Sequence, residues 1–336
     1  TLLLGTRFQH EKKEADWLRT FDTPTSLVFT EFLNWEEFEA DLDHSEFQIS
    51  PKVSLNYKPD EDLSFFARWS RGYKGGGFNE FATRGAENDL VFDQEEVHEW
   101  ALDAKMTLLD GTAALNVSLF WMELSDFQVL TTRPGDIVIT VVNAAKARAR
   151  GVEADGTWYP TEWLTLVGSL GFNEARYLDF PIGGCPQDMP NTDSDSDPRC
   201  DLSGNALQRT PDWTIAFMPV VLLPAKEIPG LRALVPAWQE ALTIGASFTI
   251  DFTSSQDTGQ LGGFGDPRAE QEGFVKYRAT LGFGNPDQGW SLRVAAENLT
   301  NEATRNGTGE LQTAPGHLYA LPESSRVVYG QVRYEF

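Results

Sequence analysis

Four histidines, two cysteines and a cluster of aspartates are the side chains in this 336-residue chain whose chemistry could go beyond packing. His10, His44, His98 and His317 never fall in the H-E-x-x-H spacing that sets two imidazoles and a carboxylate on one helix face. No local Ser–His–acid arrangement accompanies them, so nucleophilic catalysis has no support and the chain is read as no enzyme. Cys185 and Cys200 stand 15 apart in a polar stretch rich in Asp, Ser and Pro. With no C-x-x-C pair and no nearby His, zinc is disfavoured and a loop disulfide is predicted, which implies an oxidising compartment. Asp193-x-Asp195-x-Asp197 imitates the start of a calcium loop, but Pro198 stands where the turn needs Gly, and Gly204 where a bidentate Glu is needed. Gly72-x-x-Gly75-Gly76-Gly77 follows a long strand and opens no helix, so it is read as close packing or a bend rather than a phosphate cradle. Phe78, Phe81, Phe92, His317 and Tyr319 are the candidate ligand-binding residues, because aromatic faces suit sugars and aryl groups; loop-on-loop packing is the competing role. Neither a metal nor a cofactor is predicted.

The elements that must position these residues follow from composition and periodicity. The chain carries 27 Lys and Arg against 50 Asp and Glu, a net charge of -23. Such a surface repels phosphate backbones and disfavours a nucleic-acid partner. No window reaches the run of about 18 apolar residues that a transmembrane helix needs. Aromatic residues make up 12%, and 29 Gly and 18 Pro punctuate the chain, a balance that favours β structure.

The dominant repeat has period 2. Phe47, Ile49, Pro51, Val53, Leu55 and Tyr57 alternate with Gln48, Ser50, Lys52, Ser54, Asn56 and Lys58. The same two-faced pattern recurs over 242–252, 275–283 and 327–336. Twelve strand-like segments are counted, near 1–14, 44–58, 61–72, 95–109, 112–129, 137–159, 162–178, 207–224, 237–253, 272–285, 289–301 and 324–336. Many are far longer than the soluble mean of about 5–6 residues. Their connections alternate long and short without a break in phase, with 225–236 of intermediate length, as in a membrane barrel with short periplasmic turns and longer extracellular loops. Tyr57, Trp69, Trp158, Tyr159, Trp163, Trp290 and Tyr334 near strand ends fit interfacial girdles. Acids gather in the long connections 15–43 and 179–206, while Lys52, Arg148, Arg150, Lys276, Arg278, Arg293 and Arg333 are expected to line a wet lumen. The chain opens on Thr1 with no signal-peptide pattern, and it reads as starting inside a strand.

Several stretches then resemble one family, the TonB-dependent outer-membrane receptors. Pro51 to Pro59 resembles the family's "PK-x-G-x-x-Y-x-P" strand and turn. Phe65 to Asn79, FFARWSRGYKGGGFN, resembles "YASYSRGYKSGGFN". Val142 to Glu153 is similar to "NAGKARIRGVE", with Ala145 in place of Gly. Ala296 to Glu302 is similar to "V-x-NLTDE", and Pro322 to Phe336 to the closing "P-R-x-Y-G-x-x-x-x-Y-x-F". The resemblance implies an all-β antiparallel transmembrane barrel whose 12 strands are the last of a 22-stranded wall. Residues 1–336 would be its C-terminal portion, with the plug domain and any signal peptide outside the chain. It implies active uptake of a scarce ligand such as a siderophore, cobalamin or glycan across the outer membrane of a Gram-negative bacterium. The implied partners are TonB acting through the missing plug, a ligand at the extracellular loops, outer-membrane lipid, and the barrel-assembly machinery reading Tyr334 and Phe336. The alternatives are a self-contained 12-stranded passive channel or a secreted all-β binding module.

Overall fold

The computed structural model describes residues 1–21, 35–80, 90–132, 139–181, 183–185, 199–230, 241–260, 266–311, 314 and 316–335. One antiparallel sheet of twelve strands dominates it. In chain order these are β1 (Leu2–Arg19), β2 (Phe38–Tyr57), β3 (Leu63–Lys74), β4 (Glu95–Leu108), β5 (Ala113–Thr132), β6 (Ile139–Thr161), β7 (Leu164–Asp179), β8 (Trp213–Pro224), β9 (Thr243–Thr253), β10 (Phe274–Asn285), β11 (Trp290–Glu297) and β12 (Val327–Tyr334). Each strand pairs with the next in sequence, so spatial order equals chain order. β1 and β12 form the two edges, which makes the sheet an open wall among the described residues rather than a closed 12-strand barrel.

All twelve predicted strands are present. The first two are longer than expected: Asp16 pairs with Asp41 and Glu14 with Asp43, so part of the acidic stretch read as a loop is strand. At one end of the sheet four of the five connections are tight, and the fifth, from β8 to β9, runs over residues 225–242, longer than the intermediate length expected. Leu109, Asp110 and Gly111 all take positive φ in the β4–β5 turn, a conformation that Asp-Gly sequences favour. In the β10–β11 turn the Asn285 side chain accepts from the backbone N–H groups of Asp287 and Gln288, and Gly289 closes it at φ 65°. At the other end the connections are longer, apart from the short 133–138 between β5 and β6, and several carry small sheets of their own. Residues 77–78 pair with 91–92, 183–184 with 199–200, 256–257 with 270–271, and 305–310 lies between 259–260 and 318–322. These ladders are too short for any period to announce them in the sequence.

The two faces of the sheet differ in kind. On one, Leu4, Phe8, Val53, Leu55, Phe217, Leu281, Val294, Val328 and Val332 stand exposed, with Val332 reaching 76%. An apolar surface this extensive is untenable in water but suits hydrocarbon. Aromatic rings flank it at both levels: Tyr57, Trp158, Tyr159, Trp163 and Tyr334 by the tight turns, and Trp100 and Trp213 toward the long loops. The other face is polar, with Arg68 bonded to Glu99, Ser118 to Asp103 and Asn116 to Asp155. Among the described residues one compact apolar cluster stands out, on that polar side beneath the long loops: Val129, Ala145, Ala147, Tyr177, Phe180 and Leu202.

That cluster overturns one expectation. Lys52 and Arg293 share the polar face as predicted, but Arg148 and Arg150 do not. Both guanidinium groups lie over the indole of Trp121, on the face that bears Leu119 and Trp100. The small residues of that strand, Ala145 and Ala147, turn inward because Tyr177 and Phe180 fill the space there. Alternation then sends the arginines outward.

Candidate functional site

The polar face at the long-loop end gathers the groups best placed to meet a ligand. β1 and β2 bring Glu11, Lys13, His44 and Glu46 to one patch, because Glu11 pairs with Glu46 and Lys13 with His44. Parity sets their direction: Phe47 and Ile49 point to lipid, so Glu46 and Gln48 point away from it. The His44 ring nitrogen Nε2 lies 2.7 Å from Glu46 Oε1, and both side chains are largely buried. The Gly76 N–H donates to the same carboxylate oxygen at 2.9 Å, and Lys13 Nζ donates to the Gly76 carbonyl. Glu46 Oε2 is buried without a hydrogen-bond partner.

The glycines of this patch are packing residues. A Cβ on Gly76 would sit 2.4 Å from the Phe92 carbonyl oxygen, and one on Gly75 would sit 2.7 Å from a Glu11 carboxylate oxygen. The loop therefore presses against the strand wall as no larger residue could. A polar lattice stitches it down. Gln128 Nε2 donates to the carbonyls of Gly75 and Asp93, each at 3.0 Å. Asn79 exchanges two bonds with the Val141 backbone, and the Asn143 side chain bridges Asp93 and Asp126.

The predicted aromatics divide between two places. Phe78 and Phe92 belong to the small sheet above this patch, and the Phe78 ring meets His44 edge-on with centroids 6.3 Å apart. Tyr319 lies in the three-stranded sheet opposite Gly309, and the His317 carbonyl accepts from the Leu311 N–H. Phe81 lies outside the described residues. Cys185 and Cys200 are bonded to each other, with Cα atoms 5.2 Å apart, and they close the loop beside the buried Phe180 and Leu202. The stretch 186–198 that the bond ties off is also outside the described residues. Asp201 at its foot is held below the usual carboxylate range by bonds from the Ser203 hydroxyl and backbone N–H. Among the described residues no three His, Cys, Asp or Glu side chains are grouped to hold a metal ion. Tyr334 pairs with Trp290 on the lipid face, while Phe336 lies outside the described residues.

Sequence reasoning passed over Glu46, Gln128 and Asn143. Only Glu46 had a readable signal, since it continues the polar parity of Gln48, Ser50 and Lys52. Gln128 and Asn143 flank a bulge between Leu124 and Phe127, where Asp126 takes φ 52° and the alternation slips.

The geometry has known counterparts. The chain resembles a metal-pseudopaline receptor, CntO, of Pseudomonas aeruginosa at 24% identity over 175 residues, 52% of this chain and 22% of that protein. It resembles the pesticin receptor of Yersinia enterocolitica at 25% identity over 154 residues, 46% of this chain and 20% of that protein. It thus spans about a fifth of the length of these curated relatives. Among solved structures, the ferric yersiniabactin uptake receptor FyuA of Yersinia pestis shares the fold with a TM-score of 0.73 at 15% identity, over all of this chain and 43% of that one. The siderophore receptor PiuA of Acinetobacter baumannii does so with a TM-score of 0.66 at 16% identity, over 99% of this chain and 40% of that one. The family described as TonB dependent receptor-like, beta-barrel matches residues 1–299, and the chain belongs to that family.

Proposed function

We propose that this segment forms the C-terminal twelve strands of an outer-membrane receptor that takes up a low-molecular-weight metal chelate. A plug elsewhere in the protein would fill the lumen and be pulled by TonB. The observation that carries this reading is the open twelve-strand wall, which matches less than half of FyuA along its whole own length. A wall with two unpaired edges needs further strands to be stable in lipid, which disfavours a self-contained 12-strand pore. The chelate class is supported by the names of several similar proteins, which include receptors for metal-pseudopaline and ferric yersiniabactin. The His44–Glu46 patch and the rings of Phe78 and Phe92 would contact it at the entrance. Membrane lipid on the apolar face and the barrel-assembly machinery at the last strand complete the proposed partners.

The test is growth and labelled uptake in a deletion strain, across ferric chelates, other metal chelates, cobalamin and glycans. Loss of uptake of one metal chelate, restored by the full-length gene only when TonB is present, is the expected result. Uptake that persists without TonB would favour a passive channel, and loss confined to a glycan would reassign the ligand.

A further inference from the structure

The outward arginines form a site of their own. On the lipid-side face of β5–β7, Trp121 pairs with Arg150 and Arg150 with Glu174; one step toward the long loops, Glu123 pairs with Arg148 and Arg148 with Arg176. Toward the tight turns the same face carries only uncharged residues, starting with Leu119, Val152 and Phe172. The arginines therefore stand where hydrocarbon gives way to headgroups. Arg148 and Arg176 are directly opposed across the ladder, a like-charge pair that costs stability unless an anion lies between them. Three acids stand nearby and offset part of this charge, but none of them is paired with Arg148. Glu174 binds Arg150 at 2.6 Å, and Asp212 lies 3.5 Å from Arg176. Glu123 accepts instead from the Trp121 indole N–H at 3.0 Å. Arg148 has no carboxylate partner among the described residues, and its Nε is buried without a hydrogen-bond partner. Its guanidinium lies 5.0 Å from the Trp121 ring centroid and that of Arg150 lies 5.3 Å away, so one indole holds two cations side by side. Below them an open apolar recess runs between Trp69, Trp100, Leu102, Leu119 and Trp121.

We propose that Arg148, Arg150 and Arg176 bind the phosphate of an outer-leaflet lipid, whose acyl chain lies in the recess beneath Trp121. Guanidinium groups suit this, because their forked donors match phosphate oxygens and they carry charge at any working pH. With Glu174 on Arg150, Asp212 near Arg176 and Glu123 turned to Trp121, Arg148 is the cation of this cluster left to meet an anionic headgroup. The inference rests on the outer-membrane placement of the barrel and not on which ligand it carries. An uptake assay therefore plays no part in its test, and its failure would leave the uptake reading intact.

The experiment uses the full-length receptor in phosphate-free detergent, titrated with bisphosphorylated lipid A or with dephosphorylated lipid A, with binding read by native mass spectrometry. Tighter binding of the phosphorylated lipid is expected, weakened about tenfold or more by combined Arg148→Gln and Arg176→Gln, with no change for the dephosphorylated lipid. Glu123→Gln, which keeps the acceptor for Trp121 but removes a charge, should tighten phosphorylated binding, and it decides the matter if the arginine variant does not fold. Equal binding of both lipids by the wild-type protein would overturn the proposal, as would indifference to Glu123→Gln. Displacement of the lipid by equimolar inorganic phosphate would also overturn it, by showing a site for soluble anions.

Discussion

At the scale of single residues, the Asn-Leu-Thr-Asn turn shows how a motif can be fixed by backbone geometry rather than ligand chemistry. Asn298 and Asn301 both take positive φ, at 50° and 56°. The Asn298 side chain accepts from the Glu302 N–H at 2.8 Å and donates to the carbonyls of Glu302 and Ser324. Asn301 accepts from the Arg326 N–H and so ties the turn to the start of β12. Asparagine is one of the few residues that tolerates this conformation while filling those bonds. Asn298→Ala should therefore destabilise the β11–β12 connection by about 2–4 kcal/mol, the sum of left-handed strain and orphaned buried groups. Asn298→Gly should cost less, because it loses the bonds without the strain. Urea unfolding of the folded barrel in micelles, followed by mobility on unheated gels, would measure both. Equal stability of the alanine variant and wild type would refute this account of the motif.

At the scale of elements, the long loops are held by side-chain clasps that close onto strand ends. Lys276 at the start of β10 bonds both Thr304 and Glu323, and the Thr304 hydroxyl donates to the same Glu323 oxygen. The Glu323 N–H donates to the Thr304 carbonyl at 2.9 Å, closing the base of the loop. The lysine and hydroxyl donors hold the Glu323 carboxyl below its ordinary value of 4.5. A depressed carboxylate stabilises the folded loop fully above its unfolded pKa, and that contribution fades as pH falls through the folded value. Hydrogen exchange at the Glu323 amide should accordingly quicken as pH drops below 4.5, beyond the intrinsic pH trend. Glu323→Gln should exchange faster at neutral pH and lack this acid-dependent step. An identical acid response in both proteins would assign the change to other groups.

At the scale of the whole molecule, the open sheet sets the folding problem. β1 and β12 each expose a row of backbone donors and acceptors that lipid cannot satisfy. In lipid such edges need pairing partners, which the proposed larger barrel would supply. The last strand places Val328, Val332 and Tyr334 on the lipid face, with Arg333 and Glu335 bonded to each other on the polar side. The terminal Phe336 continues the parity of Tyr334. Deleting Phe336 is expected to lower the amount of receptor in the outer membrane while leaving the unfolding of already folded barrels nearly unchanged. Quantitative surface labelling beside unfolding of the purified protein would show this, and undiminished surface abundance would rule out a role in assembly.

Much of this architecture is legible in the sequence because a membrane wall imposes a period-2 code over long runs. The hydrocarbon selects apolar residues on one face and the lumen accepts polar ones on the other, so residues 47–57 or 275–283 could be read by eye. The disulfide was legible too, since two cysteines admit one internal pairing. What the tertiary structure alone decided is everything that depends on a third body touching the strand. Arg148 and Arg150 carry the charge expected of lumen residues, yet they share the parity of Val152 and Trp158 and face outward, while Ala145 and Ala147 meet Tyr177 and Phe180 on the inner side. The glycines at 75–77 gave no hint of Glu11, Glu46 or Phe92 pressing against them across more than one strand. The bulge near Asp126 broke the alternation without any Gly to announce it. Local periodicity records which medium each face meets; which atoms fill the space behind that face depends on chain segments far away in sequence, and only the folded wall brings them there.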